Sequence, residues 1–311
     1  MHKPVMVAEI TATFAKIPTG VLVDATCGSG GHTQAILEQR PDLTVLALDR
    51  DEAALKRASQ NLASWGQKVE FSHTTSHHLA AELQARNISR IVGFLMDLGV
   101  SSEQLDTPDR GFSFHNSGPL DMRLDRSSQI TAQDLVNSLS QERLERILSQ
   151  YGQERFAKRI AAAIVRQRPL ETTTELATVV VNAIPARFRR TGGHPARRSF
   201  QALRIEVNQE LQILSRTIPQ AIAALAEWGR GALLSYHSGE DSIVKQQLNL
   251  AETGGCQCLP QLPCQCGAIR SIRLLHRSPK TPSSAEVALN PRSRSAKLRS
   301  FEKLPELPRS A

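Results

Sequence analysis

The feature that most restricts how this chain can fold lies between residues 20 and 98. Short apolar runs alternate there with stretches of helical spacing. The run at 20–26 empties into a glycine cluster, and further runs follow at 44–48, 69–71 and 91–98. Residues 32–40, 51–62 and 79–85 read as helices between them. In the second of these, Ala54, Leu55, Ala58 and Leu62 share one stripe behind Asp51, a candidate N-cap. Strands alternating with helices predict βαβ units and a parallel sheet, an α/β fold.

The pattern changes after residue 100. Residues 101–131 are rich in Ser, Asp, Gly and Pro and carry no strand signal. Residues 141–167 are strongly helical, 182–195 form a basic loop, and 199–226 are helical again with an interruption near Pro219. A strand returns at 231–237. The expected organisation is therefore a discontinuous α/β domain, 1–106 and 207–311, with an inserted, mostly helical domain at 107–206. After one strand-like run at 269–275, the Pro/Ser/Arg-rich tail is expected to wrap the surface.

Composition narrows the function classes. No run of about 18 apolar residues exists, which excludes a helical membrane span. The N-terminus lacks the apolar core of a secretory signal, and five cysteines in 311 residues fit a reducing compartment, so a cytoplasmic location is expected. The net charge of +8 is unevenly distributed. Residues 151–206 hold 11 Lys+Arg against 4 Asp+Glu, and residues 270–311 hold 10 against 3, so each segment carries +7 and the remainder −6. Basic excess concentrated in two segments fits either solvated faces or an electrostatic footprint for a polyanion.

The sharpest local element is Asp24-Ala-Thr-Cys-Gly28-Ser29-Gly30-Gly31-His32, placed between the first strand and the first helix. Glycines there let the backbone turn sharply and approach a ligand without a Cβ in the way. Asp49 closes the second strand, where a carboxylate can accept hydrogen bonds from two ribose hydroxyls. The loop is neither G-x-G-x-x-G nor a P-loop. An acid four residues before the first glycine is instead the pattern of Rossmann-type S-adenosylmethionine enzymes, with Asp24 organising the loop and, directly or through water, the methionine ammonium. A nicotinamide dehydrogenase would share the glycine loop and Asp49, but would leave the segregated basic charge unexplained.

Asp97 ends the fourth strand at the carboxyl edge, where open α/β sheets bind ligands. It is a candidate anchor for an amino-group nucleophile, or a strand-ending loop cap. His237, after the returning strand, reaches the same edge, as a pocket residue, a proton acceptor or a structural histidine. Arg198, Gln201 and Arg204 fall three apart on one helical face, and with Arg187, Arg189, Arg190 and Arg197 they form a candidate phosphate-binding surface. Arg292, Arg294, Lys297 and Arg299 extend it into the tail. Aromatic residues make up only 4% of the chain, too few for a stacking platform to be the main binding device. Cys256, Cys258, Cys264 and Cys266 suggest zinc at first sight, but pairs spaced by one residue favour a surface loop with free thiols, and no essential metal is expected.

Longer stretches then occur in a characteristic order. They are Asp97-Leu-Gly-Val-Ser-Ser, Arg110-Gly-Phe-Ser-Phe114, Gly118-Pro-Leu-Asp-Met-Arg123, Tyr151-Gly-Gln-Glu-Arg-Phe156, His194-Pro-Ala, Phe200-Gln-Ala-Leu-Arg-Ile205, His237-Ser, and Asn290-Pro-Arg-Ser-Arg-Ser-Ala-Lys-Leu-Arg299. Together they resemble the RsmH (MraW) family of ribosomal RNA small-subunit methyltransferases, from His2 to Arg299. The resemblance implies a Rossmann-like S-adenosylmethionine-dependent methyltransferase domain with an inserted helical domain. It also implies methylation of the exocyclic N4 of one cytidine in 16S ribosomal RNA, within the small ribosomal subunit. Carried over by position, cofactor contacts fall on Gly30, Gly31, His32, Asp49, Ser76, Asp97 and Gln104, and Arg123 becomes a substrate-side candidate. Asp97 and His237 are the catalytic candidates. Three positions depart from the family pattern: Ser76 stands where an aromatic is frequent, Cys27 where Phe is usual, and Tyr236 in place of Phe before His237. A non-catalytic assembly factor that keeps the fold and binds RNA is the remaining alternative; methylation of small-subunit particles separates it from the enzyme.

Overall fold

The computed structural model describes residues 4–189, 193–258 and 265–305. The chain divides into two compact units, one formed by Met1–Gly99 with Leu211–Ala311, the other by Val100–Glu210. The boundaries expected at 107 and 206 lie inside the second unit.

The first unit is built on a seven-stranded sheet in the order β3-β2-β1-β4-β5-β7-β6. Its strands are β1 (Val21–Asp24), β2 (Thr44–Asp49), β3 (Val69–His73), β4 (Ile91–Asp97), β5 (Leu225–Ser235), β6 (Ile272–Leu274) and β7 (Lys297–Lys303). β1 to β5 pair in parallel, and β7 runs antiparallel to both its neighbours. The order reverses between β1 and β4, which makes their carboxyl ends the natural ligand edge of this Rossmann-like sheet.

The unbroken apolar runs follow from burial on both faces. Leu22, Val45, Ala47, Leu95 and Leu234 pack in one core with Ile10, Ile36 and Leu55, from helices α1 (Val7–Phe14), α2 (Gly31–Gln39) and α3 (Glu52–Asn61). Their neighbours Val23, Leu46, Leu48, Phe94, Met96 and Leu233 turn the other way. They meet Leu83, Leu214, Ile218 and Val244 from α4 (Leu79–Ala85), α11 (Glu210–Ala224) and α12 (Ser238–Thr253). Asp51 caps α3 as its position suggested, its Oδ1 accepting from the amides of Ala53 and Ala54.

The second unit holds α5 (Ser102–Asp106), α6 (Ala132–Ser138), α7 (Gln141–Gly152), α8 (Ala157–Arg166), α9 (Thr173–Ala183) and α10 (Arg197–Asn208) around a core of its own. One short helix, α13 (Ser284–Leu289), precedes β7 in the first unit.

The stretch at 141–167 is helical as expected, in two helices, α7 ending at the left-handed Gln153 (φ 49°). Two sequence expectations are corrected. The break expected near Pro219 falls at Gln209, also left-handed (φ 48°); Pro219 lies within α11, whose buried Leu214, Ile218, Ala221 and Ile222 hold it against the sheet. The tail does not merely wrap the surface: β7 inserts between β5 and β6, with Leu298 in one core and Phe301 in the other. Gly231 of β5 makes room for the Phe301 ring, which a Cβ there would overlap.

Candidate active site

The glycine loop is strung between the two strands that flank β1. The Ala25 amide donates to Leu95 O of β4, and the Cys27 amide donates to Leu48 O of β2. Gly28 and Gly30 adopt left-handed conformations (φ 54° and 87°), the latter at the N-cap of α2. A Cβ on Gly30 would stand 2.7 Å from Leu62 Cδ1, and one on Gly31 would overlap Pro4, so the loop is pressed from behind by α3 and the N-terminal segment. Nothing lies within 4 Å of the Cβ position of Gly28, which leaves that side of the loop open.

Two carboxylates organise the loop, Asp24 buried and Asp49 partly exposed. Asp24 accepts from Thr33 Oγ1 at 2.7 Å and from the Thr26 amide at 3.3 Å. Burial pushes its pKa up from 3.8 to about 6, against the downward pull of these bonds. Asp49 Oδ2 accepts from the Gly28 amide at 2.7 Å and Oδ1 from the Asp51 amide at 2.9 Å. Its pKa is also raised, chiefly by burial. Each Asp49 oxygen has one backbone donor and a further lone pair, which suits a ribose diol.

Asp97 stands across from the loop at the end of β4. Its amide donates to Thr26 Oγ1 at 2.6 Å, tying the two strand exits together. Its Oδ1 accepts from the Tyr236 hydroxyl at 2.9 Å. Burial, and then the Asp97 charge, push the Tyr236 phenol well above its ordinary pKa, so the hydroxyl stays a donor. Asp97 Oδ2 lies 3.3 Å from His32 Nε2, but the pair is not aligned as a hydrogen bond, and both nitrogens of this buried ring lack a hydrogen-bond partner among the described residues. Orphaned ring nitrogens beside an open glycine loop and a ribose-type carboxylate fit a polar ligand such as S-adenosylmethionine. Gly99 (φ 96°) keeps the exit of β4 slim; a Cβ there would touch Tyr236 Cδ2 at 3.6 Å.

The remaining sequence candidates have these places. His237 is the N-cap of α12: its Nδ1 accepts from the Glu240 amide at 3.3 Å, and the buried Glu240 carboxylate accepts from the amides of Tyr236 and His237. The imidazole therefore already has a structural task. Ser76 is buried with its hydroxyl 3.1 Å from Thr217 Oγ1 of α11. Gln104, in the second unit, closes the capping box of α5 by accepting from the Ser101 amide. Thr26 and Thr33 carry no sequence signal of their own and emerge only as partners of the acids, while Tyr236, marked in the sequence only as a departure from Phe, proves to bring the hydroxyl that binds Asp97.

Among the arginines, Arg187, Arg197 and Arg198 are exposed. Arg123 is paired with Asp121 at 2.8 Å, Arg189 donates to Ile184 O and Asn182 O, and Arg204 grips Glu210 with two 2.8 Å bonds. In the tail, Lys297 and Arg299 both bind Asp241. Arg190 and Cys264 lie outside the described residues.

The model of the MraW methylase family matches residues 1–304. The chain belongs to that family. A ribosomal RNA small subunit methyltransferase H from Thermobifida fusca is 46% identical over 312 residues, covering 98% of this chain and 94% of the relative. Its counterpart in Geobacter sp. M21 is 46% identical over 308 residues, covering 97% and 98%. This methylase is thus an enzyme, a methyltransferase whose methyl donor is S-adenosylmethionine. Among its described residues no helix is long and apolar enough to cross a membrane.

Proposed function

We propose that this methylase, acting in the cytoplasm, methylates the exocyclic N4 of one cytidine in 16S ribosomal RNA, with the small ribosomal subunit as its partner. The observation that carries the reading is the Asp97 carboxylate at the β4 exit, one oxygen held by Tyr236 and the other left facing the ligand edge beside His32. The names of the relatives supply the RNA class.

Bound S-adenosylmethionine supplies an electrophilic methyl group on its sulfonium. Asp49 would hold the ribose, the Gly28–Gly30 backbone would line the ligand, and Asp24 would face the ammonium. Cytosine N4 is a weak nucleophile because its lone pair is delocalised into the ring, so positioning must supply much of the rate. Asp97 accepts a hydrogen bond from the amine, favouring a more pyramidal nitrogen, and opposes the positive charge that builds there as the methyl group passes from sulfur to nitrogen; the thioether leaves and the surplus amine proton passes to water. The Leu98 carbonyl offers a second acceptor, and Gly99 lets the base approach. Exposed Arg187, Arg197 and Arg198 bind phosphates and position the RNA without reading its sequence.

Nucleoside mapping by mass spectrometry tests this. Small-subunit RNA from cells lacking the protein should lose one N4-methylcytidine, and the purified protein should restore it on small-subunit particles. Methylation at another atom, or unchanged RNA, would refute the reading.

A further inference from the structure

The cysteine loop after α12 is not used by the chemistry above, and the tertiary structure changes its reading. Cys256, Cys258 and Cys266 bring their sulfur atoms within 4.8 Å of one another. The loop base is fastened to α12. The Ser271 amide donates to Ala251 O at 3.0 Å, Arg270 Nε donates to Glu252 O at 2.8 Å, and the Leu274 amide donates to Glu252 Oε1 at 3.0 Å. Gly254 lets the returning strand close in, since a Cβ there would stand 2.5 Å from Ile269 O. Left-handed Gly254 and Gly255 precede the first thiol, and left-handed Gly267 follows the last.

No described residue at 254–258 or 265–270 is buried, and Ile269 is 70% exposed. Apolar packing therefore does not supply what is needed to offset the entropy of ordering this loop, about 1–2 kcal/mol per residue. We propose that the three thiolates bind a zinc ion that fixes the loop, with water in the fourth position. Thiolate sulfur suits Zn²⁺, and bonds of about 2.3 Å to a tetrahedral ion put ligand sulfurs roughly 3.8 Å apart, a small contraction of the cluster. Binding displaces the three thiol protons to solvent, so the site empties in acid. The one-residue spacing that argued against zinc in the sequence is offset by the fold, which places Cys266 beside the first pair. The site is structural. α12 has 16 residues and begins beside His237, so the cluster is separated from the sheet edge by a helix about 24 Å long.

The test uses the full chain, purified reduced and without chelator, loaded with zinc and desalted. Elemental analysis should find about one zinc per chain. Cobalt in its place should give thiolate-to-metal charge-transfer absorption in the near ultraviolet. The double variant C256S/C258S should lose at least nine-tenths of the metal and that absorption while keeping methyl transfer. Should it fold poorly, titrating the wild-type protein with a thiol-specific mercurial serves instead, with zinc released in step with thiol modification. A wild-type chain that holds no stoichiometric zinc, a cobalt spectrum without thiolate bands, or zinc retained after thiol modification would each overturn the proposal.

Discussion

With Asp24 beside the ligand ammonium as proposed, cofactor affinity should depend on pH in a way that can be worked out beforehand. In the free protein burial holds its pKa at about 6, against 3.8 for an ordinary aspartate. A ligand ammonium beside it stabilises the ionised form. If that restores the ordinary value, the shift of about two units corresponds to about 3 kcal/mol of coupling. Binding then expels a proton wherever Asp24 is protonated in the free protein. At pH 7 nearly all of it is already ionised; at pH 5 only about a tenth is, so affinity for S-adenosylmethionine should fall about tenfold between them. Titration calorimetry in buffers of different ionisation enthalpy measures both the affinity and the proton released. Asp24→Asn should bind more weakly, with a flat profile across the same range. The same proton affects folding with a definite sign. The folded value lies above the unfolded one, so the stability it contributes is full below pH 3.8 and is lost as pH rises through about 6. Affinity independent of pH between 5 and 7, or a tenfold dependence that survives in Asp24→Asn, would refute the assignment.

Replacing Asp97 with Ala should abolish methyl transfer while leaving cofactor affinity within a few-fold, read by single-turnover assay and calorimetry; full activity would remove Asp97 from the reaction. Tyr236→Phe deletes the bond to Asp97 Oδ1 and should lower kcat about three- to tenfold, roughly 1 kcal/mol, with cofactor affinity unchanged, since water can take part of the phenol's place. Gly30→Ala forces a Cβ onto a φ of 87° and towards Leu62; at about 1–3 kcal/mol it should lower the melting temperature by roughly 5 °C and weaken cofactor binding. The double variant R187Q/R197Q should reduce the slope of log affinity for RNA against log salt by about two, whereas Arg204→Gln, which strands Glu210, should lower stability and leave the slope unchanged.

Much of the first unit was legible because its signals are local. Apolar runs that alternate with helical stripes can bury both kinds of element only in a layered α/β sheet. A glycine loop between strand and helix, with an acid at the next strand's end, marks a ligand edge wherever it occurs. The elements that were misread have weak or absent local signals. β7 holds only Leu298 and Phe301 as apolar residues, between charged ones, and is a strand because β5 and β6 supply its hydrogen bonds. Pro219 carries a strong breaker signal, yet the buried face of α11 outweighs one lost backbone bond. Basic residues were legible as charge but not as availability. Arg123, Arg204, Lys297 and Arg299 look like Arg187 in sequence, and only the fold shows their carboxylate partners.

By itself, then, the sequence determined the parallel α/β part of the sheet, the candidate ligand edge with Asp24, Asp49 and Asp97, and the family, because each rests on residue order and short spacing. Only the tertiary structure decided which oxygen of Asp97 is held by Tyr236, that the His237 ring caps a helix, which arginines are already paired, and that three cysteines converge. Some of those contacts, Tyr236 with Asp97 and Asp241 with Lys297 and Arg299, join residues far apart in the chain, and others, His237 with Glu240 or Arg123 with Asp121, join near neighbours; in both cases direction and distance, rather than residue type, set what a side chain can do.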